Sequence, residues 1–247
     1  MANNQFRSES RWSSRIVAGC ALALLAGVVW HSGLLRAEVV QMVPAPKVDD
    51  AKAAGPPQTT VISGGCFWGI QGVFQHVKGV TRAVSGYAGG EKSTAEYETV
   101  STGTTGHAES VQITYDPAQV TYGELLQIAF SVGFDPTELN RQGPDSGTQY
   151  RSELWYTNDQ QKNIATAYIA QLNQAHAFSR PIVTRVDPLH GFYAAEDYHQ
   201  DYLYLHPSQP YIAYNDIPKV NALKHIFPDV YLQQPTLVNS VNALKQH

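Results

Sequence analysis

Cysteine is scarce in this chain of 247 residues, which contains only Cys20 and Cys66. The two do not form a Cys-x-x-Cys pair, and this absence disfavours a disulfide oxidoreductase of the thioredoxin kind. Cys20 lies inside a hydrophobic run near the N-terminus. If that run is cleaved or embedded in a membrane, Cys66 is the only thiol of the folded domain and cannot close an internal disulfide there.

Clusters of lysine and arginine are also lacking beyond the N-terminus. Residues 1–37 carry four Arg and one Glu, which leaves 13 Lys and Arg against 20 Asp and Glu in the rest of the chain, a net charge of −7. Because phosphate binding needs clustered cations, this balance argues against nucleic acid as a partner. The 43% of apolar residues are enough to bury a sizeable globular core.

The longest apolar run, over 16–30, follows three arginines, a pattern typical of an export signal. The positive-inside rule then places the following domain outside the cytoplasm, so we expect a periplasmic or otherwise extracytoplasmic protein. Leu35-Arg36-Ala37 is a poor cleavage site. Residues 1–37 are therefore interpreted as a signal peptide or as a signal anchor, and an anchor would place residues 16–35 in the inner membrane.

Composition also sets the remaining boundaries. Residues 38–58 hold four prolines and no hydrophobic periodicity, so they are predicted to be a linker. The folded domain is expected over 59–230, and a C-terminal tail over 231–247.

Strand and helix patterns alternate within the folded domain. Strands are predicted at 60–63, 80–85, 109–115, 151–156 and 182–186. Helices are predicted at 66–77, 121–132, 158–176 and 194–203, with a long loop over 133–149 and an irregular segment over 207–230. This order predicts an α+β fold, a mixed sheet with helices packed on it, in the form of a two-layer ferredoxin-like sandwich.

Cys66 stands between two glycines of a strand-to-helix turn and the pair Phe67-Trp68. A cysteine in the first turn of a helix faces unpaired N–H groups and the positive end of the helix dipole, which lower the pKa of the thiol. The glycines are expected to leave the sulfur accessible, and Phe67 and Trp68 to form an apolar wall for a small nonpolar group. A buried structural cysteine is the alternative, and these residues alone leave both interpretations open.

Four blocks in the folded domain carry a resemblance to a known family. They are Gly65-Cys66-Phe67-Trp68-Gly69, Gly106-His107-Ala108-Glu109, the stretch Asn140–Arg151, and Glu196-Asp197-Tyr198-His199-Gln200. In this order they are similar to the signature blocks of the A-type peptide methionine sulfoxide reductases. The resemblance covers roughly residues 60–230, which is the whole folded domain.

The resemblance implies that the domain reduces the S epimer of methionine sulfoxide, free or in proteins, and so repairs oxidised proteins. By motif position it makes Cys66 the nucleophile and Glu109 the general acid. It further implies that the hydroxyls of Tyr97 and Tyr150 hold the sulfoxide oxygen and that the Asp145 carboxylate organises the site. Phe67 and Trp68 would form an apolar pocket for the substrate methyl group.

The chemistry of the reaction supports these roles independently. Attack of a thiolate on a sulfoxide sulfur expels the oxygen only if that oxygen is protonated, so an acid must stand opposite the thiolate. Glu109 needs a raised pKa for this task, and burial beside tyrosine hydroxyls would raise it. Cys66 would finish the reaction as a sulfenic acid.

The sequence departs from many relatives of this family in its cysteines. Relatives commonly carry resolving cysteines in the C-terminal tail, whereas residues 205–247 have none, and Ser101 stands where another is common. Recycling of oxidised Cys66 then needs an external thiol reductant. This reductant is expected to be a thioredoxin-like protein, glutaredoxin or glutathione, or a small dithiol. The resemblance implies no other cofactor and no metal, and we expect a monomer.

Two other functions and a metal site remain alternatives at this stage. A Cys-His hydrolase would use His107, His190 or His199 to activate Cys66. A binding module without catalysis would explain the tyrosines but not the cysteine motif. His199 with Glu196 resembles part of a metal site, although further ligands of the right kind are lacking nearby.

Overall fold

The computed structural model describes residue 1 and residues 40–238. The predicted signal segment, Cys20 and residues 239–247 lie outside the described residues. Within the described part, no helix is both long enough and apolar enough to cross a membrane.

A six-stranded mixed sheet forms the centre of the domain, with the strand order β7-β6-β1-β3-β2-β8. Its strands are β1 (Gln58–Gly64), β2 (Val80–Ala88), β3 (Ala108–Tyr115), β6 (Ser152–Tyr156), β7 (Arg185–Pro188) and β8 (Phe192–Ala194). The pair β6 and β7 is parallel and the other neighbouring pairs are antiparallel. A separate hairpin pairs β4 (Arg141–Gln142) with β5 (Asp145–Ser146) inside the predicted long loop. The prediction of an α+β fold with a mixed sheet is confirmed.

In the part of the chain that the structure describes, six α-helices accompany the sheet: α1 (Phe67–Gln75), α2 (Tyr97–Val100), α3 (Tyr122–Ile128), α4 (Asp159–Gln174), α5 (Tyr202–Leu205) and α6 (Ile217–Ile226). Thr121 begins α3 with the capping box that its spacing to Glu124 predicts, because each residue's side chain accepts from the other's backbone N–H. The Asn158 side chain caps α4 by accepting from the Gln161 N–H. Local sequence signals therefore locate both helix starts correctly.

Two sequence predictions near the C-terminal part are wrong. The helix predicted over 194–203 is broken into a 3-10 turn, Asp197–His199, and the short α5, because Asp201 takes a left-handed φ of 58°. The segment predicted as irregular over 207–230 contains α6. Pro218 lies in the first turn of α6, where a missing backbone N–H costs no helical hydrogen bond.

The main core lies between the sheet and the helices. Alternate residues of β3 face it, including Val111 and Ile113, and they pack with Ile70 and Phe74 of α1. Burial of each such side chain contributes about 1.5–3 kcal/mol. Glu109 precedes Val111 by two positions, so its side chain projects from the same face of the sheet toward the start of α1.

The described part of the predicted linker over 38–58 packs on the domain. Val43 is buried, and the Tyr168 hydroxyl donates to the Pro44 carbonyl at 2.7 Å. Asp49 accepts from the Thr121 hydroxyl at 2.5 Å and from the Gly123 N–H at 2.8 Å, at the start of α3. Residues 40–57 contain no helix or strand, and these long-range hydrogen bonds fix the segment in place. Residues 41–53 are called the strap below.

Candidate active site

Cys66 is the N-cap residue of α1, as the glycine turn predicts. Gly65, with a φ of 87°, turns the chain from β1 into the helix in a conformation that favours glycine. The first backbone N–H groups of a helix have no partner within the helix. Here the Phe67 N–H donates to Glu109 Oε2 at 3.0 Å, and Cys66 precedes Phe67 as the N-cap residue, without a capping hydrogen bond from its own side chain. One helix start thus holds both the candidate nucleophile and the candidate acid.

The resting state of Cys66 differs from the one that the sequence predicts. The residue is only 8% exposed, so the glycines do not leave its sulfur open to solvent. Burial raises the pKa of the thiol well above its usual value, and the carboxylates of Glu109 and Asp216 raise it further, against the lowering effect of the Trp68 N–H. The helix start alone does not lower the thiol pKa, because desolvation and two neighbouring acids outweigh it.

Glu109 has the environment that a general acid needs. Its side chain is 4% exposed, and burial raises its pKa to about 8 although the Phe67 N–H stabilises the carboxylate. The charges of Asp145 and Asp216 act in the same direction as burial. At neutral pH the carboxyl is therefore mostly protonated and can donate its proton to a bound oxygen.

Tyr97 and Tyr150 lie near both reacting groups on separate elements. Tyr97 begins α2, and Tyr150 ends the 3-10 turn Thr148–Tyr150. Burial raises the pKa of both phenols, and the charges of Glu109 and Cys66 raise it further. Both phenols are therefore protonated at neutral pH and are available as hydrogen-bond donors.

Asp145 is half-buried in β5 and accepts a hydrogen bond from the Tyr211 hydroxyl. Burial raises the pKa of Asp145, whereas the Tyr211 hydroxyl and the Lys219 ammonium lower it. The structure thus brings Asp145 into the electrostatic surroundings of Cys66 and Glu109, as the resemblance implies.

Phe67 and Trp68 form part of an aromatic wall beside Cys66. Phe67 is buried, and Trp68 is half-buried and stacks on Tyr202 with ring centroids 4.0 Å apart. The Trp68 indole N–H donates to His199 Nδ1 at 3.2 Å, which fixes the plane of the indole. Tyr211 meets Trp68 edge-on at 6.1 Å. Such a wall suits a methyl group better than a polar one.

Glu196 connects two parts of the site that are distant in sequence. Its carboxylate accepts from the Tyr97 N–H and from the Tyr87 hydroxyl, both at 2.9 Å. It therefore fixes the start of α2, where Tyr97 lies, against the sheet. The sequence analysis considered Glu196 only in its fourth block and as part of a possible metal site, and it did not identify Asp216, Tyr202 or Tyr211. Their only signal was a position in or after the fourth sequence block.

His107 and His199 make hydrogen bonds to groups other than Cys66, and His190 lies at a surface groove. The His107 ring bonds to the Gly90 N–H and the Glu91 carbonyl, and His199 Nδ1 accepts from Trp68. His190 lines a surface groove of about 680 Å³ in the described domain, and Cys66 does not line it. No imidazole in the described residues hydrogen-bonds to Cys66, so the arrangement lacks the base of a Cys-His hydrolase. Residues 40–238 also contain no group of three or more His, Cys, Asp or Glu side chains that could hold a metal ion.

Comparison with known proteins places this geometry in a family. The sequence model described as "Peptide methionine sulfoxide reductase" matches residues 58–230. A Mesorhizobium japonicum protein named "Peptide methionine sulfoxide reductase MsrA 2" is 61% identical over 193 residues, which cover 78% of this chain and 99% of that protein. A Synechocystis protein of the same name is 47% identical and covers 76% and 90% of the two chains.

Solved structures agree with the sequence comparison. Reduced Mxr1 from Saccharomyces cerevisiae superposes with a TM-score of 0.56 at 32% identity, and the match covers 66% of this chain and 92% of that one. Methionine sulfoxide reductase A of Corynebacterium diphtheriae gives a TM-score of 0.54 at 32% identity, with coverage of 70% and 89%. This chain belongs to the peptide methionine sulfoxide reductase family.

Proposed function

We propose that this protein reduces the S epimer of methionine sulfoxide, free or in polypeptides, to methionine, with Cys66 as nucleophile and Glu109 as general acid. The observation that carries the assignment is the shared start of α1, where Cys66 is the N-cap residue and the N–H of the next residue, Phe67, donates to Glu109. A thiol and a buried carboxylic acid at one helix start are the pair that removal of a sulfoxide oxygen needs.

The first step joins the Cys66 sulfur to the sulfoxide sulfur and breaks the sulfur–oxygen bond. The oxygen leaves as water with one proton from the thiol and one from Glu109. That water then adds to the Cys66 sulfur as the sulfur–sulfur bond breaks, and the released proton returns to Glu109. Cys66 is oxidised to the sulfenic acid and the substrate sulfur is reduced to the thioether of methionine.

The pocket also supports a choice between the two sulfoxide epimers. The substrate sulfur faces Cys66, its methyl group contacts Phe67 and Trp68, and its oxygen takes hydrogen bonds from Glu109 and the phenols of Tyr97 and Tyr150. Asp145 holds Tyr211 against this wall. The positions of the sulfur, the methyl group and the oxygen are thus all fixed, and only one epimer of the chiral sulfur fits them. In the other epimer the oxygen and the methyl group exchange places, which would put a polar atom on the aromatic wall.

Recycling of Cys66 uses an external thiol reductant. The candidates are a thioredoxin-like protein, the glutaredoxin and glutathione system, and a small dithiol. A first thiol attacks the sulfenic acid, releases water and leaves a mixed disulfide, and a second thiol releases Cys66 and forms the reductant disulfide. In the described residues Cys66 is the single cysteine and is a free thiol, which supports recycling from outside the domain. We propose that the enzyme acts as a monomer.

The placement of the domain and its architecture also belong to this proposal. We propose that residues 1–37 act as a signal peptide or anchor and that the domain works in the periplasm or another extracytoplasmic space. We further propose that β6-β1-β3-β2 with α1 and α4 is a ferredoxin-like two-layer sandwich. Both the antiparallel order of these four strands and a main core shared by α1 and α4 support this arrangement.

Mass spectrometry of a peptide that contains methionine sulfoxide tests the activity. With dithiothreitol present, the protein is expected to remove one oxygen from peptides of the S epimer and to leave the R epimer unchanged. Cys66→Ser is the matched control, since it keeps the size of the side chain and removes the nucleophile. Loss of oxygen from both epimers, or equal activity of Cys66→Ser, would refute the proposal.

A further inference from the structure

Asp216 is a fully buried carboxylate that lies against the first turn of α1. It ends the π turn Ile212–Asp216 and immediately precedes α6. A methyl group on Gly69 would collide with Asp216 Oδ1, so the carboxylate occupies the space that any other side chain at position 69 would need. Gly69 thus marks the place where this acid rests on the helix.

The position of Asp216 on α1 is next to the reacting groups. Gly69 follows Cys66 by three residues, and residues three apart lie on the same helical face at about 5–6 Å. The same turn holds Glu109 through the Phe67 N–H. Asp216 is therefore a third acidic group at the helix start that nucleophile and general acid share.

Other groups contribute to the electrostatic surroundings of this helix start. They are Glu109 on β3, Asp145 on β5, Tyr97 on α2, Tyr150 on its 3-10 turn, Tyr211 on the segment before α6, Lys219 on α6, and the Trp68 N–H on α1. Asp216 raises the pKa of both Cys66 and Glu109, in each case in addition to burial. Lys219 lies one turn after Asp216 and lowers the pKa of Asp145.

We propose that Asp216 is a positioning residue that sets the charge of the site and holds Cys66 as a thiol and Glu109 as an acid until the sulfoxide binds. The roles of Cys66 and Glu109 in this statement rest on the proposed function. A buried negative charge disfavours further negative charges at the same helix start. The sulfur of a sulfoxide carries the positive end of the sulfur–oxygen dipole, so its arrival beside Cys66 offsets that effect and favours attack.

This arrangement protects a domain that has a single described cysteine. Peroxides oxidise thiolates much faster than thiols, and oxidation beyond the sulfenic acid is irreversible for most proteins. Without a neighbouring thiol to trap the sulfenic acid, a resting thiolate would expose Cys66 to that loss. Asp216 keeps the reactive form scarce while the site is empty.

The rate of Cys66 alkylation by iodoacetamide as a function of pH tests this proposal in the full chain. Mass spectrometry of the Cys66 peptide separates its signal from that of Cys20. Asp216→Asn keeps the shape and removes the charge, and the midpoint of alkylation is expected to fall by about one pH unit, as for loss of a nearby like charge. Asp201→Asn is the matched control, because Asp201 is a buried carboxylate that accepts from Gln75 at the other end of α1.

The expected result is a lower midpoint in Asp216→Asn and an unchanged midpoint in Asp201→Asn. Gly69→Ala, which displaces the carboxylate by collision, is expected to lower the midpoint as well and serves if Asp216→Asn does not fold. An unchanged midpoint in a folded Asp216→Asn or Gly69→Ala variant, or an equal shift in Asp201→Asn, would overturn the proposal. Because alkylation requires no turnover, this outcome is independent of whether the protein reduces sulfoxides.

Discussion

The Phe67 N–H donates to Glu109 Oε2 at 3.0 Å, so the acid of the site is fixed by the residue that follows its nucleophile. The hydrogen bond joins β3 to the start of α1, two elements whose positions are set by the main core. It lowers the pKa of Glu109, yet burial raises that pKa more strongly, to about 8. The pair therefore combines fixed geometry with a carboxyl that still holds its proton at neutral pH.

Glu109→Gln should lower kcat by about two to four orders of magnitude, because a positioned general acid contributes that range. The amide oxygen of Gln can still accept from the Phe67 N–H, so folding should be intact. Steady-state kinetics with a sulfoxide peptide, alongside circular dichroism, measure both effects. A folded variant with near-normal kcat would remove Glu109 from the mechanism.

The activity of the wild-type protein should fall as the pH rises through about 8. The proposed first step starts from the thiol and the acid, and Glu109 loses its proton near that pH. The pH profile of kcat/KM with a sulfoxide peptide measures this limb. If the residual activity of Glu109→Gln falls over the same pH range, the decrease is caused by a group other than Glu109.

Stability should change in the same pH range with a defined sign. The folded pKa of Glu109 is raised from 4.5 to about 8, so between these values the folded state binds a proton that the unfolded state has lost. Its contribution therefore makes the folded state less stable as the pH rises through this window. Glu109→Gln lacks this effect, and its Tm relative to wild type should increase from pH 5 to pH 9. A constant difference in Tm would show that Glu109 is not buried as described.

The sequence predicted the site through local signals and failed where distant groups act. Gly65 and the apolar spacing after Cys66 correctly indicate a helix that begins at the cysteine. The same signals predicted a lowered thiol pKa, which is wrong because burial raises it, and the carboxylates of Glu109 and Asp216 raise it further. Burial and the approach of Asp216 to Gly69 both depend on tertiary packing, since Asp216 is 150 residues away in the chain. The pKa of a buried group depends on charges from several helices and strands. A local sequence motif contains the residues of only one of these elements.

The strap shows the same limit for the fold. Its prolines and its lack of hydrophobic periodicity predicted a linker, and composition does not reveal that Asp49 reaches the start of α3. The strand pattern correctly indicated an α+β sheet, whereas the break at Asp201 depends on a side chain that bonds to Gln75 and to the Val238 N–H. Contacts between distant segments decide both cases.

Glu196→Ala should lower kcat/KM for sulfoxide peptides by about tenfold, since it removes two hydrogen bonds that are worth about 0.5–1.5 kcal/mol each and so loosens Tyr97. Glu196→Gln retains an acceptor for one of the donors and should restore part of the loss. Kinetics of both variants beside Tyr97→Phe measure the coupling. If Glu196→Ala is equally harmful in the presence and absence of the Tyr97 hydroxyl, the effect does not pass through Tyr97.

Asp49→Ala should destabilise the domain by about 1–2 kcal/mol, because the side chain accepts two hydrogen bonds at the start of α3. Lys47→Ala is the control, since the Lys47 side chain is exposed and only its backbone N–H bonds to the domain. Urea unfolding of both variants gives the free energies of unfolding. Equal values for the two would mean that the strap does not stabilise the domain through Asp49.

A single turnover without reductant tests the one-cysteine account most directly. Protein mixed with excess S-epimer sulfoxide peptide should release about one methionine peptide per protein and then stop, with Cys66 trapped by a sulfenate-selective reagent. Addition of glutathione should restart turnover and give a mixed disulfide at Cys66 that mass spectrometry detects. A disulfide between Cys20 and Cys66 in the oxidised protein, together with loss of recycling when residues 1–57 are removed, would contradict the account and give the N-terminal segment a catalytic role.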